Sequence, residues 1–442
     1  MKKIIVMAGF LILCVSFLHP QVTCFTGDDF IHQRERLLTE VNDGVILLDA
    51  AVFPAEFFYL TGVQSKVAKL ILIPDRVAKQ TPRPAAWQTT LYLPVKTPRH
   101  GVWDDTPLCY RDNTESQTGI SANAPLNVFY GDLAKLGNIT DTIYIPFRPS
   151  EGSSGHPAVD LLFAERVKKM HPDVKIKNLL PVLDRMRWKK TDKEIEIMRH
   201  ACKITVNAFE ESARYTAPGQ YEYEIEAIIS YLFRRYGSQG AAFIIVGSGP
   251  NSCILHHSTN DRQMKQDELL VLDIGTRYCS TVTDLTRTIP VSGRFTAEQR
   301  KIYEIVLKAQ KAAISVVKPG VTLDQVHQAA FDVIADAGYG KYFIHGTSHT
   351  MNGGNTADPR TSGLYYSERY ADRYKANDVP LVAGSIFTIE PGIYIAEKSL
   401  GIRIEDDILV TPDGYEVLTA AAPKEIKEIE ELMKQTPAYL KK

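Results

Sequence analysis

The sequence predicts two domains, an α/β domain in the amino-terminal half and an α+β domain built on an internal pseudo-twofold repeat in the carboxy-terminal half. Three observations predict it. At 442 residues the chain exceeds what one hydrophobic core usually organises. Up to about residue 185, short apolar strands alternate with helical stretches, the pattern of an α/β layer. Beyond that point one order of elements occurs twice. The expected boundaries are 1–24 for a leader, 25–185 for the first domain and 186–442 for the second.

The leader comes first. Lys2 and Lys3 precede an uncharged apolar run from Ile4 to Leu18, and His19 to Gly27 is polar. As a helix the run spans roughly 22 Å, short of the ~30 Å hydrocarbon core of a bilayer. This is the pattern of a secretory signal peptide, with an uncleaved membrane anchor as the alternative. The expected location is therefore secreted or periplasmic, with cleavage near residue 25. Export permits disulfides, but Cys14, Cys24, Cys109, Cys202, Cys253 and Cys279 show no regular spacing and no Cys-x-x-Cys pair. A scaffold of bridges is not expected, and one isolated bridge stays open. Asn138-Ile139-Thr140 fits a glycosylation acceptor in a eukaryotic secretory pathway.

In the first domain, VILLDAAV (45–52), KLILIPD (69–75), TTLYLPV (89–95) and DTIYIPF (141–147) are predicted strands of a mixed or parallel sheet. IHQRERLLTEV (31–41) and AVDLLFAERVKKM (158–170) are predicted helices. Residues 96–130, rich in Pro, Asp, Asn and Thr, are predicted to be a long irregular excursion. No phosphate-cradling glycine loop and no nucleophile elbow occurs in this half, so its expected role is structural or gating. In the second domain, Thr191-Asp-Lys-Glu194 opens a helix with a capping box, and Ala217-Pro218-Gly219 ends it. Thr296-Ala-Glu-Gln299 opens another, which Lys318-Pro319-Gly320 ends. Each is followed by a second helix, a histidine-bearing segment and two strands carrying acids. Chance recurrence of helix–turn–helix units is the alternative to a true repeat.

Composition adds little. Hydrophobic content of 44%, charged content of 23% and a formal charge of −1 describe an ordinary globular protein. They offer no electrostatic reason for a nucleic-acid partner or an anionic membrane surface.

The chemistry lies in buried acids. LLVLDIGTRY and TVTDLTRTI read as a hairpin turning near Cys279, which would set Asp273 and Asp284 across from each other on one face. Facing carboxylates in apolar surroundings repel unless a cation lies between them; local hydrogen bonds are the alternative. SIFTIEPGIYI adds Glu390 and GIRIEDDILVT adds Glu405. Alternation points Glu405 and Asp407 to one face, and leaves Asp406 and Asp407 solvent-facing or paired with Arg403. HGTSH (345–349) reads as a strand leading into a loop, where residues four apart lie roughly 13 Å apart, so at most one of His345 and His349 binds a given ion. Two Asp, two Glu and one His exceed a structural zinc site and suit two divalent cations. The hard oxygen set favours Mn2+, with Zn2+ or Co2+ possible.

GSGPNSCILHH (247–257), LDIGTRYCSTVTDLTRT (272–288), HGTSH (345–349), TIEPGIY (388–394) and GIRIEDD (401–407) resemble, in order and spacing, the creatinase/methionine-aminopeptidase or pita-bread family. The likeness is strongest to its Xaa-Pro aminopeptidases (aminopeptidase P). The resemblance implies a pita-bread second domain and the dimetal ligands Asp273, Asp284, His349, Glu390 and Glu405. It makes His345 and His256 substrate-contacting catalytic residues, Glu390 the proton shuttle, and Arg403 the support of a ligand carboxylate. It leaves His257 as a neutral surface or supporting residue. The implied activity is hydrolysis of the N-terminal Xaa-Pro bond by a hydroxide shared between the ions. The implied partners are peptides with proline second and a possible homo-oligomer, with no nucleic acid and no membrane after leader cleavage. One departure stands out: TMNGGNTADP puts Thr356 or Ala357 where the family carries a further histidine, with Asp358 following. The alternatives are a prolidase acting on Xaa-Pro dipeptides, an impaired binding module on the same fold, and a metal-free creatinase-like hydrolase.

Overall fold

The computed structural model describes residues 24–78, 88–147, 159–351 and 379–438. The expected leader up to residue 23 and the departing segment from Asn352 onward, with Thr356, Ala357 and Asp358, lie outside them.

The first half runs α1 (Gly27–Glu40), β1 (Val45–Asp49), α2 (Pro54–Thr61), β2 (Lys69–Leu72), α3 (Asp75–Ala78) and β3 (Thr89–Leu93). It continues with α4 (Thr114–Thr118), β4 (Asn123–Pro125), α5 (Phe129–Leu133), β5 (Thr142–Ile145), α6 (Val159–Met170), β6 (Lys175–Asn178) and α7 (Leu180–Trp188). Its six strands form one sheet in the order β4-β3-β2-β1-β5-β6. The sheet is mixed: β1 is antiparallel to β2 and parallel to β5. Central β1 is buried at every position, which is why Val45 to Leu48 are continuously apolar rather than alternating, and its last residue, Asp49, is paired with Lys69 at 2.7 Å. The 96–130 stretch is not wholly irregular, since α4 and β4 fall within it and β4 pairs with β3 in parallel. Asn-Ala-Pro carries no β-branched residue, and Pro125 is tolerated because β4 is an edge strand.

The second half opens with α8 (Asp192–Tyr215) and α9 (Glu222–Arg235), followed by β7 (Gly240–Ser248), β8 (Leu269–Tyr278), β9 (Thr281–Val282) and β10 (Leu285–Pro290). Next come α10 (Ala297–Ser315), α11 (Leu323–Asp336), β11 (Ile386–Ile389), β12 (Gly392–Ile395), β13 (Leu400–Arg403), β14 (Asp406–Thr411), β15 (Gly414–Val417) and α12 (Ile426–Leu432). Both predicted capping boxes form. Thr191 accepts from the Glu194 amide and Thr296 from the Gln299 amide, each at 3.3 Å, so each helix pair starts where its local sequence satisfies the first free N–H groups. The strands form sheets β10-β8-β7, β11-β14-β15 and β12-β13, with β9 beside β8. The two repeats meet where Glu405 N–H donates to Thr286 O at 3.0 Å and Thr288 Oγ1 donates to Arg403 O at 2.9 Å.

One apolar core gathers side chains between Leu37 and Met186, and a second between Ile197 and Leu432. The halves are joined by a disulfide between Cys24 and Cys279 (Cα–Cα 5.4 Å) and by Gln64 Nε2 donating to Ser280 Oγ at 3.5 Å. Among the described residues, no helix is long and apolar enough to cross a membrane.

Candidate metal centre

The hairpin β8–β10 supplies the first two acids. Tyr278 pairs with Thr281, so the turn is the two residues Cys279-Ser280. Further down, Ile274 pairs with Leu285 and Asp273 with Thr286. The same register sets Asp284 across from Gly275, so the two aspartates are diagonal neighbours on one face and not direct partners. A turn centred between Cys279 and Ser280 shifts the register from the one expected. Diagonal side chains still reach a common point. Gly275 is required there, because a Cβ would come within 2.3 Å of Thr283 O and 2.5 Å of the Phe243 ring.

The second repeat brings the rest. Glu390 follows β11 and Glu405 lies between β13 and β14. HGTSH is not the predicted strand. It is irregular, and only the following Thr350 forms a bridge, to Phe387. Side chain and backbone nevertheless hold it beside β11: Thr388 N–H donates to His349 O (2.9 Å), His349 N–H to Thr388 Oγ1 (3.0 Å) and Glu390 N–H to Thr347 O (2.8 Å). His349 Nε2 thereby lies 3.3 Å from Asp284 Oδ2, 3.5 Å from Glu390 Oε1 and 3.9 Å from Glu405 Oε1. Asp284, His349 and Glu405 each offer a ligand atom within 4.8 Å of the others. Asp273 is held to the cluster by Arg403, whose Nη2 donates to Asp273 Oδ2 at 2.6 Å. Arg403 Nε donates to Thr286 Oγ1 at 3.1 Å, and Thr286 Oγ1 donates to Glu405 Oε2 at 2.6 Å.

This donor set fits divalent cations. Asp273 Oδ1, Asp284 Oδ1 and Glu405 Oε1 are buried and accept no hydrogen bond from a described residue. Buried carboxylate oxygens are rarely left so unless something positive meets them. Without a cation, burial and then the Glu405 charge push Glu390 and Asp284 well above the usual carboxylate range. Burial and then Asp273 push Glu405 up to about 7. Crowded carboxylates in a low-dielectric site hold protons when no metal neutralises them.

The neighbouring acids differ from expectation. Asp406 and Asp407 are both fully buried, and neither pairs with Arg403. Asp406 accepts from Arg287 Nη2, Gln310 Nε2 and Lys424 Nζ, each at 2.7 Å. Burial alone would raise Asp406, but Arg287 and Lys424 hold it below the usual range. Asp407 Oδ2 accepts from the Asp284 amide at 3.1 Å, bracing the backbone of that acid from behind. Both positions are buried because β14 is central in its sheet, a placement the charged Glu-Asp-Asp run does not advertise.

His345 sits at the edge of the acid cluster, its Nδ1 4.0 Å from Glu390 Oε2. Arg403 Nη1 donates to Tyr394 OH (2.9 Å), so the Tyr394 hydroxyl donates onward to His345 Nε2 (2.8 Å), and Nδ1–H donates to Gly346 O (2.7 Å). That chain describes a neutral imidazole. Burial, then the Arg403 charge, lowers His345 to about 3. Tyr394, the last residue of TIEPGIY, bridges Arg403 and His345, a contact visible only in three dimensions. His256 is exposed on the loop after β7. His257 is not a surface residue. It is buried, with Nε2 3.1 Å from Glu222 Oε2.

Residues 196–412 match the profile of metallopeptidase family M24. The chain is 31% identical to the Xaa-Pro aminopeptidase of Haemophilus influenzae over 405 residues, which is 85% of this chain and 87% of that protein. It is 36% identical to an Xaa-Pro dipeptidase of Pyrococcus horikoshii over 258 residues, 58% of this chain and 70% of the relative. The fold is similar to that of Escherichia coli aminopeptidase P solved with the inhibitor Pro-Leu: TM-score 0.78, 28% identity, covering 93% of this chain and 99% of that one.

Proposed function

Because the chain belongs to metallopeptidase family M24, we propose that it is an aminopeptidase that hydrolyses the bond between a peptide's N-terminal residue and a following proline. The observation that carries this reading is the convergence of Asp284, His349, Glu390 and Glu405, with Asp273 braced by Arg403, around buried carboxylate oxygens that accept from no described residue. Those five residues would hold two divalent cations, Mn2+ first on the hardness of the oxygen donors. When bound, the cations supply Lewis acidity toward the attacking water and the scissile carbonyl.

The chain's own residues do the rest. Glu390, whose carboxylate lies 4.0 Å from His345 and 3.5 Å from His349, takes the proton from the attacking water and passes it to the departing proline nitrogen. Neutral His345 is held in orientation by Tyr394 and Gly346 O and stands beside Glu390, facing the substrate. His256, on its exposed loop, is the second histidine that would contact the substrate. Arg403 keeps Asp273 and, through Thr286, Glu405 in place, so the ligand set is organised before a cation arrives.

The test compares release of the first residue from an Xaa-Pro-Yaa tripeptide and from an Xaa-Pro dipeptide, with metal content measured and Mn2+ added or chelated. The tripeptide is expected to be cleaved, only with metal. Cleavage of the dipeptide alone would promote the prolidase reading. No bound metal and no cleavage of either would leave a binding module. We further propose that the chain is exported, on the basic and then apolar character of its first residues and the disulfide that joins Cys24 to Cys279.

A further inference from the structure

The turn joining the strands that lead to Asp273 and Asp284 is unusual. Cys279 and Ser280 both have left-handed backbones, φ 49° and 65°. A two-residue hairpin turn of this hand favours Asn-Gly, because positive φ costs glycine nothing and is tolerated by asparagine, whose short side chain hydrogen-bonds locally. Neither residue is glycine, so other contacts must hold the turn. Two are hydrogen bonds: Ser280 N–H donates to Gln239 Oε1 at 3.1 Å, and Gln64 Nε2 to Ser280 Oγ at 3.5 Å. The third is covalent, the bond from Cys279 to Cys24, 255 residues away in sequence.

Cys24 is itself seated. Phe25 packs against the second-half core and lies 5.7 Å from the Phe30 ring, centroid to centroid. Thr26 N–H donates to Asp29 Oδ2 at 2.7 Å, capping α1. The segment that presents Cys24 to the turn is therefore fastened to the second-half core and to the start of α1. A leader ending at residue 24 would remove one partner of the bond.

We propose that maturation spares Cys24, and that the Cys24–Cys279 bond, formed after export, locks the strained turn of the acid-bearing hairpin onto the amino-terminal half. The proposal rests on the export reading and is independent of the metal. In the step, two S–H bonds break and one S–S bond forms. The two protons and two electrons pass to a thiol oxidant in its disulfide form, which leaves as a dithiol.

The full precursor, produced in an exporting host and purified without reductant, is digested with trypsin. The peptide ending at Arg34 is expected to be joined to the peptide Tyr278–Arg287, and to separate from it on reduction. Before reduction, alkylation of the unfolded protein is expected at Cys109, Cys202 and Cys253, and at Cys24 and Cys279 only afterwards. A mature chain that begins after residue 24, or that carries both cysteines as free thiols, overturns the proposal. If the precursor stays inside the cell with its leader, the export reading fails alone. The bond is then tested on purified protein with oxidised glutathione, and its failure to form there overturns the proposal. Cys24→Ser and Cys279→Ser are each expected to lower the melting temperature by roughly 5 °C, and the double variant by no more than either alone. Additive losses would show that the two thiols act separately.

Discussion

At the scale of the residue, the candidate centre depends on groups with no chemistry of their own. Gly275 faces Asp284 across the hairpin and leaves no room for a methyl group, because Thr283 O and Phe243 already occupy it. Gly275→Ala is expected to cost about 1–3 kcal/mol of stability through overpacking and to weaken metal binding by spreading the two aspartates. Denaturant unfolding and calorimetric titration with Mn2+ read the two effects; unchanged values in both would show that the strands have room to adjust. Asp273, Asp284, Glu390 and Glu405 were legible because an acid inside an apolar run is conspicuous. The partners Thr286, Tyr394 and Asp407 were not, since a polar residue in a strand has many ordinary reasons to be there.

At the scale of the element, one buried carboxylate fastens the loop that carries His256. Glu222, in the first turn of α9, accepts from Ser248 N–H and Oγ (both 2.7 Å), Asn251 Nδ2 (3.1 Å), His257 (3.1 Å) and Arg262 N–H (3.2 Å). These donors span the end of β7 and the loop beyond it as far as Arg262. Glu222→Ala leaves several of them without a partner, each at a cost of about 1–3 kcal/mol. The expected result is faster hydrogen exchange at Ser248 and Arg262 and a lower melting temperature, read on the metal-free chain so that the site plays no part. Unchanged exchange at those amides would show that the loop is held otherwise. The elements themselves were largely legible: the strands in 45–147 and the capped starts of α8 and α10 follow from local pattern. β4 and the irregular path of HGTSH did not, because each is decided by the strand beside it.

At the scale of the whole molecule, the candidate centre joins the two repeats, and its charge balance bears on stability. In the metal-free chain Glu405 sits at about 7 instead of 4.5. Between those values the folded state binds a proton the unfolded state has released, so stability falls as pH rises through that window. Asp284 and Glu390, raised well above their ordinary values, act in the same direction. The melting temperature of chelator-treated protein should therefore fall increasingly below that of Mn2+-loaded protein from pH 5 to pH 8. A gap that is constant or shrinks would mean the acids are not competing for protons at the metal site. By itself, the sequence determined the two-part architecture, the repeat and the acids and histidines of the candidate centre, because periodicity, capping and buried charge are written in neighbouring residues. Only the tertiary structure decided the diagonal register of Asp273 and Asp284, the pairing of Asp406 with Arg287 and Lys424, the buried contact of His257 with Glu222, and the bond from Cys24 to Cys279. Each of these depends on which distant segments the fold brings within a few ångströms, and no local pattern encodes that distance.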